Sequence, residues 1–224
     1  MKSKEQLAQS LEYRFPYHHL VELNLNDHTF KSFKALSFAL SYALSSTLVC
    51  QAILKATSKR MRGRVRWVDV GCGDGALIST ITPFLKNVDT LGVDYDPVAI
   101  DQAKRMAPSS HFQTRDVLSE NIGVFDVLTS IEVIEHIPPP ELPAFMKKLG
   151  ELVATDGELI LTTPHINQRK PSKHFQHFSI AQLTQLLASA LPDFEIVEIY
   201  GFNKKNWLEI LNKGLLQTKH FFIE

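Results

Sequence analysis

This sequence has little cysteine and no net charge. Its 224 residues include two cysteines, Cys50 and Cys72, and its 24 basic residues balance 24 acidic ones. Neither cysteine belongs to a Cys-x-x-Cys pair, so the sequence argues against a disulfide framework and predicts a reducing, cytoplasmic setting. A net charge of zero gives no extended basic surface for nucleic acid or anionic lipid. A single globular domain with ordinary extensions is the default expectation.

Long apolar segments, internal repeats and low-complexity stretches are also missing. The chain begins Met-Lys-Ser-Lys-Glu and continues polar, without the apolar core of a signal peptide, so we expect no secretion. The stretch between Lys34 and Lys55 carries no charge, but serine, threonine and glutamine dilute its hydrophobicity. Its leucines recur every four residues, which predicts an amphipathic helix packed on a domain and no membrane insertion.

What the sequence does contain is a glycine-rich turn behind a buried strand. Gly71, Gly73 and Gly75 follow the apolar run 65–70 and let the backbone turn sharply into a helix. Amide groups at the start of that helix offer donors to a polar ligand, while Asp69 suits a cation or an amine. A pyrophosphate-binding turn has Gly-x-Gly-x-x-Gly and avoids acidic neighbours, so the Gly-x-Gly-x-Gly spacing with Asp69 and Asp74 disfavours a dinucleotide.

Alternating strands and helices predict a doubly wound α/β sheet. The strands are expected at 65–70, 90–94, 111–113, 124–130, 158–162, 195–199 and 219–223. The helices are expected at 30–61, 76–85, 98–106, 141–152 and 181–190, with a turn at Asp156–Gly157. Asp94 ends the second strand about twenty residues beyond the glycines, where an acidic side chain accepts hydrogen bonds from ribose hydroxyls. The sequence therefore predicts a nucleoside ligand.

Residues Asp69 to Gly75 resemble the first motif of the class I S-adenosylmethionine-dependent methyltransferases: a strand, an acidic residue and Gly-x-Gly-x-Gly. The resemblance implies a Rossmann-like sheet of seven strands, the last antiparallel, within a methyltransferase domain at 63–224. It also implies that residues 1–62 form an N-terminal arm and helix covering the active site. S-adenosylmethionine is then the cofactor. The residues expected to bind it are Asp69, Gly71, Cys72, Gly73, Asp94, Tyr95, Asp116, Val117 and Ile131, with Asp116 and Val117 facing the adenine.

A second group of candidates follows the fourth predicted strand. Glu132, Glu135 and His136 stand at i, i+3 and i+4, so one helical turn would place them on a single face. The loop after the fifth strand brings further polar residues to the same edge of the sheet: His165, Asn167, His174 and His177. An acceptor hydroxyl must lose its proton, so His136 and His177 are candidate bases, with Glu132 and His174 as further catalytic candidates. The alternative is a hydrogen-bonded cluster that only fixes the turn.

Two finer resemblances compete over the acceptor. The motif Glu-x-x-Glu-His, followed by a later histidine, is similar to the motif of the metal-dependent enzymes that methylate the terminal 2′-hydroxyl of small RNAs. That similarity implies a divalent ion held by Glu132, Glu135, His136 and His177, or by His174 in place of His177. The segment 173–179 departs from the Arg-His-x-Asp-His and Phe-Glu-Trp elements of those enzymes.

The whole pattern resembles bacterial methyltransferases of small molecules and glycans. We therefore expect a hydroxyl of a small molecule, glycan or nucleotide sugar as the acceptor, in preference to RNA, and no metal. A non-catalytic partner protein that binds S-adenosylmethionine is the third alternative. The sequence sets neither the acceptor's identity nor the oligomeric state.

Overall fold

The computed structural model of the chain describes residues 3–15, 18, 21–24, 29–32, 36–59 and 63–201. The chain divides into two compact units between Pro192 and Asp193. Every helix and strand among the described residues lies in the first unit. None of the helices in these ranges is long and apolar enough to cross a membrane.

The N-terminal part of the chain contains two helices and a hairpin. Helix α1 (Lys4–Glu12) begins at a capping box, in which the Ser3 hydroxyl accepts from the Gln6 amide at 3.2 Å and the Gln6 side chain accepts from the Ser3 amide at 2.9 Å. Strands β1 (Val21–Asn24) and β2 (Thr29–Ser32) pair antiparallel, and helix α2 spans Leu36–Ser58. The expected helix 30–61 is therefore wrong at its start, because residues 29–32 satisfy their backbone groups against β1.

The first unit is organised around a sheet of five parallel strands. These are β3 (Val65–Val70), β4 (Val88–Asp94), β5 (His111–Thr114), β6 (Phe125–Ile131) and β7 (Val153–Thr162). Their spatial order is β5-β4-β3-β6-β7, so the direction of winding reverses between β3 and β6. In such sheets ligands bind where the order reverses, at the carboxyl ends of the strands. The predicted parallel α/β sheet is confirmed.

Three of the remaining helices lie between these strands in the chain, and the fourth follows β7. They are α3 (Ala76–Ile81), α4 (Pro97–Met106), α5 (Leu142–Glu151) and α6 (Ile180–Ala190). The predicted helix 76–85 ends early, because a 3-10 turn with Pro83 occupies Thr82–Phe84. Helix α6 begins one residue before its predicted start at 181, behind the N-cap Ser179, whose hydroxyl accepts from the Gln182 amide at 3.2 Å.

Two apolar clusters cover the two faces of the sheet. Val65 and Trp67 point to one face, where Trp67 packs with α2, α3 and α4. Val68 and Val70 point to the other face and pack with α5 and α6. This alternation is the two-residue period of a strand covered on both sides. The buried strand β3 therefore holds its carboxyl end, and the glycine turn behind it, at a fixed place.

Three predicted features of the chain's second half need correction. Asp156 and Gly157 do not form the predicted turn before a strand, because they lie inside β7, which starts at Val153. The pairing of β7 with β6 shifts register at these two residues, between the Phe125–Val153 pair and the Val127–Glu158 pair. Residues 195–199 form no strand, and Val197 is 78% exposed. The other predicted strand of this region, 219–223, lies outside the described residues. The sheet thus has five strands among those described, not seven.

Candidate active site

The glycine turn is shaped by backbone conformation and close packing. Gly71, Gly73 and Gly75 have φ values of 77°, 54° and 76°, which side chains rarely adopt. A Cβ on Gly71 would collide with the Val133 side chain, and one on Gly73 would lie 2.9 Å from the Tyr13 hydroxyl. The amides of Gly71 and Cys72 donate to the Val93 carbonyl at 2.8 and 3.0 Å. The turn therefore needs glycine and is tied to the end of β4.

Asp69 lies beneath this turn in a buried hydrogen-bonded chain. Its carboxylate accepts from the Thr129 hydroxyl at 2.6 Å, and that hydroxyl accepts from the Trp67 indole N–H at 3.1 Å. Burial raises the pKa of Asp69 to about 7; the Thr129 hydrogen bond opposes this shift and the charge of Asp94 adds to it. A buried carboxyl of this kind is held in one orientation and titrates near neutrality.

Asp94 connects the glycine turn to the start of α4. Its two carboxylate oxygens accept from the Gly73 amide at 3.1 Å and from the Asp96 amide at 2.9 Å. A carboxylate offers about four acceptor positions, so these bonds orient the group and leave capacity for ligand hydroxyls. Tyr95 is 44% exposed beside it, and its pKa is raised to about 12 by burial and by the charges of Asp94 and Asp96.

The other predicted cofactor residues lie at the same edge of the sheet. Asp116, just past β5, is exposed and accepts from the Leu118 amide and the Ser119 hydroxyl, both at 3.0 Å. Val117 is buried, and Ile131 ends β6. Cys72 is buried within the turn, where burial raises the pKa of its thiol well above the usual value. All nine predicted residues thus stand at the carboxyl ends of β3, β4, β5 and β6.

The N-terminal segment contacts the glycine turn directly. The His18 backbone amide donates to one oxygen of the buried Asp74 carboxylate at 3.2 Å, and His18 Nδ1 lies 3.0 Å from the other oxygen. The His18 ring stacks on Tyr42 with 5.6 Å between centroids. Tyr13 is buried against Gly73. The sequence does not reveal these partners, because 56 residues separate His18 from Asp74.

The Glu-Glu-His segment differs from the single helical face that its spacing predicts. Ile134–His136 is a 3-10 turn, and Glu132 precedes it with a left-handed φ of 56°. The Glu132 carboxylate accepts from the Thr162 hydroxyl at 2.9 Å. The Glu135 side chain is fully buried; its Oε2 accepts from the Thr163 hydroxyl at 3.2 Å, whereas Oε1 has no hydrogen-bond partner. Burial, reinforced by the charge of Glu132, raises the pKa of Glu135 well above its usual range.

His136 is held in one tautomer. Its Nδ1 lies 3.1 Å from the Lys173 carbonyl oxygen, which can only accept a hydrogen bond. Nδ1 therefore carries the proton, and Nε2 presents a lone pair. Burial lowers the pKa of His136 to about 4, although the carbonyl opposes that shift. The side chain is thus neutral at pH 7 and able to accept a proton or an ion at Nε2.

Two further imidazoles adjoin His136. The His174 ring meets it edge-on with 4.5 Å between centroids, and His174 Nδ1 lies 2.8 Å from His177 Nε2. Burial lowers the pKa of His174 to about 3 and also lowers the pKa of His177. Ligand atoms of Glu135, His136 and His174 lie within 4.8 Å of one another. Glu132 and His177, two of the metal candidates from the sequence, are not in that group.

Comparison with known proteins identifies the family to which this fold and turn belong. Residues 42–199 match the family described as "Methyltransferase domain". The chain belongs to this methyltransferase family. Its cofactor is S-adenosylmethionine, as the resemblance of the glycine turn implied.

Relatives of this methyltransferase include enzymes named ubiquinone biosynthesis O-methyltransferase. It is 26% identical to the one from Pseudomonas aeruginosa (strain UCBPP-PA14) over 132 residues, which cover 57% of this chain and 55% of that protein. It is 30% identical to the one from Coxiella burnetii (strain Dugway 5J108-111) over 106 residues, which cover 45% and 44%. The chain therefore spans about half the length of these curated relatives.

Among solved structures, this methyltransferase is similar to magnesium protoporphyrin IX methyltransferase (ChlM) from Synechocystis PCC 6803 with bound SAM. The TM-score is 0.58 with 16% identity, covering 85% of this chain and 86% of that one. At this identity the likeness concerns the fold alone.

The donor set at the edge of the sheet fits S-adenosylmethionine. The Asp69 carboxyl would hold the ammonium group, Asp94 the ribose hydroxyls, and Asp116 with Val117 the adenine. The glycine turn admits a ligand's close approach because it lacks side chains. This set contains carboxylates rather than cations, which agrees with a ligand that is cationic at its amine and its sulfonium and carries no phosphate.

Proposed function

We propose that this methyltransferase transfers the methyl group to a hydroxyl oxygen of a small molecule or glycan, such as a nucleotide sugar, with His136 as the general base. The observation that carries the proposal is the hydrogen bond from His136 Nδ1 to the Lys173 carbonyl at 3.1 Å. It leaves the Nε2 lone pair as the only basic position of a neutral imidazole. The relatives' name, O-methyltransferase, supports oxygen as the accepting atom.

The reaction that these residues would support is an in-line displacement. The acceptor O–H bond breaks and its proton passes to His136 Nε2. The oxygen forms a bond to the methyl carbon while the carbon–sulfur bond of the sulfonium breaks, which leaves S-adenosylhomocysteine as a neutral thioether at sulfur. The protein mainly has to align the three reacting atoms. His177 remains a weaker base candidate, because its Nε2 already lies 2.8 Å from His174 Nδ1.

A second mechanism is favoured by one observation, the grouping of Glu135, His136 and His174 ligand atoms within 4.8 Å. One carboxylate and two imidazoles suit a divalent transition metal with open positions. The buried Oε1 of Glu135 has no hydrogen-bond partner and lies 3.9 Å from His136 Nε2, so an ion between these two atoms would contact both. A metal bound there would lower the pKa of an acceptor hydroxyl. The RNA 3′ end as acceptor rests on the motif resemblance alone.

The placement of residues 1–62 as a cover over the active site also belongs to this proposal. The contacts of Tyr13 with Gly73 and of His18 with Asp74 support it. A cytoplasmic location stays a prediction, supported by the buried and unpaired Cys50 and Cys72.

The test is transfer of radiolabelled methyl from S-adenosylmethionine to a panel of phenols, nucleotide sugars, glycans and short RNAs. With the best acceptor, His136→Gln should lose about 100-fold or more in kcat, as expected when a general base is removed. The matched control is His111→Gln, an exposed histidine on β5. Undiminished turnover by His136→Gln would overturn the base assignment.

Metal analysis separates the two mechanisms. A stoichiometric ion in the purified protein that is lost in Glu135→Gln, together with inhibition by a chelator, would replace the simple base mechanism with the metal-assisted one. Activity that is unchanged by a chelator supports His136 as the base.

A further inference from the structure

Lys173 connects the loop that orients His136 with the N-terminal segment that lies on the glycine turn 71–75. We propose that Lys173 is a positioning residue that couples cofactor binding to the orientation of His136. The role of His136 as a base rests on the function proposed above, whereas the coupling itself does not. Both halves of the connection are contacts between described residues of the first unit.

The backbone of Lys173 faces the acceptor side. Its carbonyl oxygen accepts the Nδ1–H of His136 at 3.1 Å, so the position of the 170–175 loop decides where Nε2 points. The same loop is joined to the Glu-Glu-His segment two residues later, because the Phe175 amide donates to the Glu135 carbonyl at 2.9 Å. A displacement of Lys173 would therefore move or release the His136 ring.

The side chain of Lys173 reaches the end of α1, and its charge also opposes the rise that burial causes in the pKa values of Glu132 and Glu135. Its Nζ lies 2.5 Å from the Glu12 carboxylate, and the lysine side chain is only 18% exposed. Glu12 is the last residue of α1. The next residue, Tyr13, packs against Gly73, whose amide donates to Asp94 at 3.1 Å. The Lys173–Glu12 ion pair thus fastens the loop under His136 to the segment that lies on the cofactor's glycine turn.

A thermodynamic consequence follows from this continuous series of contacts. A cofactor held by Gly73 and Asp94 adds contacts on the surface where Tyr13 rests, so it favours the docked position of the N-terminal segment. Docking places Glu12 beside Lys173 and thereby stabilises the loop that orients His136. Coupling between two sites is reciprocal, so a weaker Lys173–Glu12 pair must lower cofactor affinity and loosen His136 together.

The experiment reverses the charges of the pair in the full chain: Glu12→Lys, Lys173→Glu and the double swap. Lys59 and Glu158 form a comparable long-range pair at 2.7 Å on the surface, so Lys59→Glu, Glu158→Lys and their double swap are the matched control set. Affinity for S-adenosylhomocysteine is measured by calorimetry. The tautomer of His136 is followed by long-range 1H–15N correlation of the imidazole nitrogens. Thermal unfolding confirms that each variant is folded.

We expect each single reversal to weaken S-adenosylhomocysteine binding by about three- to ten-fold, the range of one ion pair replaced by repulsion. The double swap should restore the affinity to within about two-fold, and His136 should regain its Nδ1–H tautomer. The control set should leave both readouts unchanged.

Additive losses in the double swap would overturn the coupling. So would a single reversal that weakens binding but leaves the His136 signals unaltered, because it would show two independent effects. Neither measurement uses an acceptor, so a wrong assignment of the methylated group would leave this test intact.

Discussion

Replacing Thr129 with valine gives the sharpest prediction about the cofactor side of the site. Thr129 is fully buried, and its hydroxyl links the Trp67 indole N–H to the Asp69 carboxyl. Valine keeps the shape of the side chain but removes these two hydrogen bonds and a longer one to the Val68 carbonyl at 3.4 Å. The variant therefore isolates what the hydroxyl contributes to stability and to the ionisation of Asp69.

The loss should depend on pH with a defined sign. The pKa of Asp69 is about 7 in the folded chain, so the carboxyl is neutral at pH 5 and ionised at pH 8.5. A hydrogen bond to a neutral group contributes about 0.5–1.5 kcal/mol and one to a charged group about 1.5–3 kcal/mol, and the stranded Trp67 N–H adds a cost at both pH values. We expect the free energy of unfolding to fall by about 2 kcal/mol at pH 5 and about 3 kcal/mol at pH 8.5.

Urea unfolding followed by tryptophan fluorescence at the two pH values measures these losses. The matched control is Thr57→Val on α2, because the buried Thr57 hydroxyl donates only to helix carbonyls, those of Ile53 at 2.8 Å and Leu54 at 3.2 Å. That variant should lose about 0.5 kcal/mol independently of pH. A Thr129→Val loss that is equal at both pH values, or no larger than the control's, would refute the charge-assisted hydrogen bond to Asp69.

Three other predictions concern the same edge of the sheet. An ammonium group beside Asp69 would lower the pKa of this carboxyl from about 7, so binding of S-adenosylhomocysteine at pH 7 should release part of a proton. The release should appear as a calorimetric binding enthalpy that depends on the buffer, and Asp69→Asn should abolish this dependence. A buffer-independent enthalpy in the native chain would contradict the placement of the ammonium group. Asp94→Ala should abolish binding whereas His177→Ala should spare it, and similar affinities in both variants would remove Asp94 from the ribose site. Glu132→Gly should raise the free energy of unfolding by about 1 kcal/mol, because glycine adopts the left-handed φ of 56° without strain. The rate of methyl transfer should fall in the same variant. A glycine variant that is less stable than the native chain would count against backbone strain at Glu132.

The sequence predicts well what depends on neighbouring residues. The glycine turn, the Asp96 cap of α4 and the Ser179 cap of α6 each follow from residue types within one short segment, and the structure has all three. The five parallel strands also follow, most clearly β3 and β6, which carry buried apolar runs; β5 has only one buried residue, Phe112. A nucleoside ligand could be inferred from Asp94 at the end of β4, and S-adenosylmethionine from the family resemblance of residues 69–75.

Contacts between distant segments could not be predicted in this way. Nothing local in the sequence pairs β1 with β2, His18 with Asp74, or Lys173 with Glu12, since each contact forms only when the sheet brings its segments together. The prediction of an α-helical turn at 132–136 is also wrong at its first residue. Glu132 forms hydrogen bonds with Thr162 on the neighbouring strand and adopts a left-handed backbone conformation instead. Tertiary partners there override the local pattern.

Because both native thiols are buried, the N-terminal segment can be labelled selectively through an introduced cysteine. Cys50 is fully enclosed and Cys72 nearly so, and burial raises the pKa of Cys50 to about 12, so neither forms the reactive thiolate readily. A single cysteine introduced at the exposed Leu7 of α1 should therefore react alone with a maleimide fluorophore. The native chain, without the introduced cysteine, should show almost no labelling and serves as the control.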